Sequence, residues 1–87
     1  MVIVETSIFT RLIQELMSDE EYAAFQHALV DRPDMGAVIP GSGGLRKVRW
    51  RLDGRCKRGG VRVIYYWLVS DDQLRMLFAT PRRARKT

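Results

Sequence analysis

Apolar positions recur along this chain with two different periods, and the change falls near its middle. Val2 to Val4 are apolar and β-branched, enough for a short first strand. From about Ser7, the residues Ile8, Leu12 and Leu16 recur at helical spacing with Phe9, Ile13 and Met17 beside them, which predicts an amphipathic helix. Ser18 to Glu21 reads S-x-x-E, a capping box that opens a second helix. Tyr22, Phe25 and Leu29 lie on one side of that helix, and Asp31, Pro33, Asp34 and Gly36 end it, since proline and glycine both break helices. The two helices form a hairpin of roughly 25 residues.

The second half follows a strand pattern. Leu45 to Leu52 reads as a strand carrying basic residues at 46, 47, 49 and 51, and Asp53-Gly54 follows as a turn signal. Val61 to Val69 is almost wholly apolar, the mark of a central strand covered on both faces. Ser70 to Gln73 is a turn and Leu74 to Ala79 a last strand. The order is β, α, α, β, β, β. The simplest architecture is α+β: a small antiparallel sheet with the helical hairpin packed on one face. One domain spans residues 1–87. Pro81 and the basic residues after it are not expected to pack, so 81–87 is read as a mobile tail.

Charge divides the chain at the same place. Residues 1–40 carry two basic and seven acidic side chains, residues 41–87 thirteen basic and three acidic. The net charge of +5 is therefore concentrated in one half, as expected if one face meets a polyanion. The densest stretch is 41–67, with eight Arg or Lys residues and one acid, Asp53. Glycines bracket it, and phosphates are the partners such a surface fits best. The single cysteine, Cys56, excludes an internal disulfide and fits a reducing cytoplasm. Glu5 and Arg11 interrupt the early apolar residues, so no signal peptide is expected, and no apolar run approaches a membrane span.

Candidate chemistry narrows by elimination. One histidine, one cysteine and no HxxxH or CxxC leave no expected metal site, and no cofactor is implied. Gly41-Ser42-Gly43-Gly44 lacks the Lys-Ser/Thr of a P-loop and precedes a strand. His27 reads as a surface or half-buried helix residue. Cys56 lies among cations that lower a thiol pKa, but no histidine stands near it as a base. The remaining candidates are cationic: Arg46, Lys47, Arg49, Arg51, Arg55, Lys57, Arg58 and Arg62. A charge run is usually a solvated face; here one sign dominates, and a like-charged patch destabilises the fold unless something neutralises it. Arg62 sits in an otherwise apolar run, so it needs a partner, either an internal acid or a ligand phosphate. Trp50, Tyr65, Tyr66 and Trp67 lie beside these cations. Aromatics in such strands stack on bases or fill a core, and core is the better reading for at least two of residues 65–67. Tyr66 shares strand parity with Arg62 and stays a candidate site residue.

Residues 39–50, I-P-G-S-G-G-L-R-K-V-R-W, and 54–67, G-R-C-K-R-G-G-V-R-V-I-Y-Y-W, resemble the HigB-like branch of the RelE/ParE toxin superfamily. The opening V-E-T-S-I-F-T-R-L-I and the S-D-E-E-Y of the second helix are similar too. The resemblance implies a RelE-like fold and a cytoplasmic toxin of a type II toxin-antitoxin system. It implies a metal-independent endoribonuclease that cuts mRNA in the ribosomal A site, neutralised by an antitoxin of helix-turn-helix type. The ribose 2′-hydroxyl then attacks the adjacent phosphate while cations stabilise the phosphorane. Arg62 resembles the family's phosphate-binding arginine, and Lys57 and Arg58 occupy the loop that supplies basic active-site residues. Lys47 and Arg49 lie on the facing strand; with Arg46, Arg51, Arg55 and Tyr66 they complete the expected RNA contacts.

The end of the chain departs from that family pattern. Thr80 replaces the usual tyrosine, Arg82 falls where a lysine is usual and counts as a fourth catalytic candidate, and the glutamate and closing helix are lacking. Two alternatives stay open: a degenerate member that binds RNA or antitoxin without cutting, and a ParE-like inhibitor of DNA gyrase.

Overall fold

In the computed structural model, which describes residues 1–52 and 60–81, the first helix, α1 (Ser7–Leu16), starts where the pattern placed it. Thr6 caps it, its hydroxyl accepting from the Phe9 N–H at 3.0 Å. The second helix, α2 (Asp19–Asp31), opens on the full capping box of Ser18 and Glu21. Asp19, Glu20 and Glu21 in its first turn oppose the positive end of the helix dipole.

The strands are β1 (Val2–Glu5), β2 (Ala37–Val38), β3 (Leu45–Trp50), β4 (Val61–Leu68) and β5 (Gln73–Pro81). They form one sheet in the order β1-β5-β4-β3-β2. The architecture is α+β with both helices on one face, as expected, but the sheet is mixed rather than antiparallel. β1 runs parallel to β5, Val2 beside Gln73 and Val4 beside Arg75. A parallel pair needs a long crossover between its strands, and the helices together with the hairpins from β2 to β5 provide it. The two-residue β2 is also new to the sequence reading. The expected turn at 70–73 is a short 3₁₀ helix, Val69–Asp71, closed by Asp72 in the left-handed region at φ 52°. β5 runs on to Pro81, which pairs with Val61, so Pro81 belongs to the sheet and not to the tail. The expected Asp53-Gly54 turn, the rest of the tail (82–87) and the absence of a closing helix lie outside the described residues.

The core lies between the helices and the inner face of the sheet. Phe9 and Ile13 of α1, Met17 after it, and Phe25 and Leu29 of α2 meet Val48, Val61, Val63, Tyr65, Leu74, Met76 and Ala79. Tyr22, half-buried, packs its ring near Phe9 and Phe25. Glu5 points inward from β1 and ties both helices to it. Its carboxylate accepts from Thr10 Oγ1 at 2.6 Å and from the Tyr22 hydroxyl at 2.5 Å. β4 is central but not covered on both faces. Val61, Val63 and Tyr65 are buried, while Arg62, Ile64 and Tyr66 are half-buried, because the helices occupy only one side.

Candidate nucleic-acid interface

The open face of the sheet collects the cations of β3 and β4. Residues opposite one another in antiparallel strands project to the same side. Across this face Arg49 stands opposite Arg62 and Arg62 opposite Thr80. Lys47 stands opposite Ile64 and Ile64 opposite Phe78. Leu45 stands opposite Tyr66 and Tyr66 opposite Arg75. A directly opposed pair of arginines destabilises the sheet. Among the described residues no carboxylate forms an ion pair with Lys47, Arg49 or Arg62 to relieve it.

Arg62 is the most constrained of the three. It is half-buried, and its Nε is shielded from solvent without a hydrogen-bond partner among the described residues. A buried donor left unpaired costs free energy. The internal acid that the sequence allowed as a partner is not found among the described residues. Leu52 and Gly60, both buried, hold the two ends of the segment between β3 and β4. Gly60 has φ +87°, and a Cβ there would lie 2.0 Å from the Trp50 carbonyl oxygen. Only glycine lets the chain pass so close to β3. Arg55, Lys57 and Arg58 of that segment, and Arg82 after β5, lie outside the described residues, as does Cys56. Arg51 is exposed just past the end of β3.

Arg46 is set apart from this group. It faces the helix side, where Nη1 donates to the Gly36 carbonyl at 2.7 Å and to that of Asp34 at 3.3 Å. Its Cζ lies 6.0 Å from the centre of the Trp67 ring. Tyr65, directly opposite on β4, donates its hydroxyl to the Pro33 carbonyl at 2.6 Å and accepts from the Gly36 N–H at 3.0 Å. Burial raises the Tyr65 pKa; the Gly36 N–H and Arg46 pull against that rise, and Asp34 adds to it. Together Arg46 and Tyr65 fasten the segment from α2 to β2.

Of the aromatic residues beside the cations, Tyr65 is buried and Trp50 and Trp67 pack against the core. Tyr66 does share the open face with Arg62. Its ring lies against Gly44, where an added Cβ would come within 2.9 Å of Cε1. Thr80, noted from sequence where the resembled family carries a tyrosine, completes the face with Phe78 and Arg75, which sequence reasoning did not single out. Plain alternation from the inward Leu74 and Met76 sends Phe78 inward as well. An irregularity in the β4–β5 pairing prevents this: Tyr65 pairs with Met76 and Ile64 with Phe78, leaving Leu77 as an extra residue. The bulge turns Phe78 outward, and Thr6 Oγ1 donates to the Leu77 carbonyl at 3.1 Å.

His27 is exposed on α2, beside Ile3, Ala23, Gln26 and Val30. Among the described residues no cluster of His, Cys, Asp and Glu could hold a metal, and no helix is long and apolar enough to cross a membrane.

No family model matches the sequence. The fold does have a close counterpart. A chain of the intact E. coli RelBE toxin-antitoxin complex matches with a TM-score of 0.70 at 13% sequence identity, over 95% of this chain and 98% of that one. The fold is RelE-like.

Proposed function

We propose that this chain is the toxin of a type II toxin-antitoxin system, of the HigB-like branch, and that its open sheet face binds mRNA on the ribosome and cuts it. The observation that carries this reading is Arg62, whose Nε is buried with no partner among the described residues, on a face where Arg49 and Lys47 have no carboxylate partner among those residues either. A phosphate supplies the charge and acceptors such a group lacks. In the cleavage step the 2′-oxygen of a ribose bonds to the neighbouring phosphorus and the bond to the 5′-oxygen breaks, leaving a cyclic phosphate and a 5′-hydroxyl. Arg62 stabilises the charge that builds on the phosphoryl oxygens. Lys57, Arg58 and Arg82 are the proposed proton-transfer and charge-stabilising groups. Lys47, Arg49, Arg51, Arg55 and Tyr66 are proposed to hold the strand. Ribosomal positioning of the message contributes much of the rate.

The structural counterpart comes from a toxin-antitoxin complex, which supports a cognate antitoxin as partner; we assign it the helix-turn-helix type. A second reading, binding without cleavage, draws on Thr80, which stands opposite Arg62 where the resembled family carries a tyrosine. The test is cleavage of a ribosome-bound message, mapped by primer extension, with Arg62→Ala in parallel. Cuts at the A-site codon that vanish in the variant support the endonuclease. Binding without cuts selects the second reading, and wild-type cutting by a folded Arg62→Ala protein removes the site.

A further inference from the structure

Eight aromatic side chains occur in this chain, all of them described, and only Phe78 is exposed, at 44%. It stands on the open face in the row of Lys47 and Ile64, next to the row of Arg49, Arg62 and Thr80. An exposed phenylalanine contributes little to the core and leaves apolar surface in water. Here it is turned outward by a bulge whose extra carbonyl, at Leu77, is satisfied by the cap residue of α1. Bulges beside functional sites re-aim side chains in this way. Tyr66, the other aromatic of the face, has its ring against Gly44 and is half-buried; Phe78 has the more accessible ring.

Resting on the RNA-binding reading above, we propose that Phe78 is a stacking platform for a base of single-stranded RNA whose phosphate lies on Arg62. Diagonal neighbours on adjacent strands are about 7–8 Å apart, within reach of long and aromatic side chains. One nucleotide spans that gap between its phosphate and its base. Cations that track the backbone beside an aromatic that accepts any base are the two elements of single-strand binding. Charge decides the occupant: the four cations of this face, Lys47, Arg49, Arg62 and Arg75, favour a polyanion over an apolar protein segment.

The probe is a ribosome carrying a message with 2-aminopurine in the vacant decoding site. Wild-type protein should bind it and quench the fluorescence by stacking. Phe78→Leu keeps an apolar side chain at an exposed position, so it should fold. It should weaken binding roughly 5- to 150-fold, as loss of one stacked base does, and abolish the quench, while the salt dependence stays that of wild type. Phe78→Trp should restore both. Arg62→Ala should instead flatten the salt dependence, because a phosphate contact is lost. Wild-type affinity and quench in Phe78→Leu overturn the platform, also if that variant loses only antitoxin binding. If wild type does not bind, or if Arg62→Ala and Phe78→Leu both behave as wild type, the RNA reading itself fails and the platform fails with it.

Discussion

Arg46 and Arg62 lie on neighbouring strands and face opposite sides of the sheet, and replacing each by alanine should separate a structural contact from the proposed RNA contact. Arg46→Ala removes a charge-assisted hydrogen bond of 2.7 Å to the Gly36 carbonyl, a kind worth roughly 1.5–3 kcal/mol. The longer contact to Asp34, at 3.3 Å, adds little. The cation 6.0 Å above Trp67 adds roughly 0.5–1 kcal/mol. Arg46 is only half-buried, so the low ends apply and the total is about 2 kcal/mol. In a domain of 87 residues that lowers Tm by about 10 °C. Arg62→Ala removes an opposed like charge and a buried Nε that has no partner among the described residues, so its stability should match or exceed wild type. Urea denaturation reads the first effect. Ribosome binding against salt reads the second: the slope should fall by roughly 0.7 per lost phosphate contact on a single strand for Arg62→Ala and not for Arg46→Ala. An Arg46→Ala protein with wild-type stability and a shallower salt slope would refute the assignment, returning Arg46 to the RNA.

Tyr65→Phe should cost roughly 1–3 kcal/mol, since the buried Gly36 N–H loses its acceptor, and a urea midpoint within error of wild type would contradict it. Gly60→Ala forces a Cβ to within 2.0 Å of a backbone oxygen at φ +87°; it should destabilise by at least about 2 kcal/mol, seen as reduced soluble yield and Tm. Alkaline stability should fall from the ordinary tyrosine pKa upward. Burial, with Glu5 as neighbour, pushes Tyr22 well up from 10.0, and burial raises Tyr65 too. The folded state thus keeps protons that the unfolded state releases, and the stabilisation, complete below about pH 10, is lost as pH rises beyond it. Urea midpoints at about pH 9 and about pH 11 should differ less in Tyr22→Phe than in wild type.

The helices and the middle strands were readable because local rules determine them. The S-x-x-E box announces α2, and apolar residues at helical spacing mark α1, although of the two interleaved sets there the structure buries Phe9, Ile13 and Met17 and leaves Ile8 exposed. Strand partnership is a different kind of fact. Nothing local to Val2–Glu5 says that it will lie parallel to Gln73–Pro81; that follows from where the hairpins and helices leave an open edge. Arg46 was partly readable. It shares parity with Val48 and Trp50, the apolar residues of β3, so alternation alone sends it inward, whereas counting charges merges it with Lys47 and Arg49. Phe78 was not readable by alternation, because the extra residue at Leu77 shifts the phase and no residue type there announces a bulge.

Packing on the inner face explains how one thin sheet tolerates an open face where Lys47, Arg49 and Arg62 have no carboxylate partner among the described residues. On β4 the inward positions Val61, Val63 and Tyr65 are at most 1% exposed, so the strand's packing energy sits on the helix side. The outward positions Arg62, Ile64 and Tyr66 are only half-buried and are held in place by a backbone that the inner face stabilises. Like charges and an exposed ring can then accumulate on the open side at a cost the fold sustains. Thr6 couples the two sides. Its hydroxyl accepts from the first turn of α1 and donates to the bulge carbonyl, so the helical layer that builds the core also fixes the direction in which Phe78 faces. On this reasoning the register of β5, and not only the identity of its side chains, is part of the proposed RNA site.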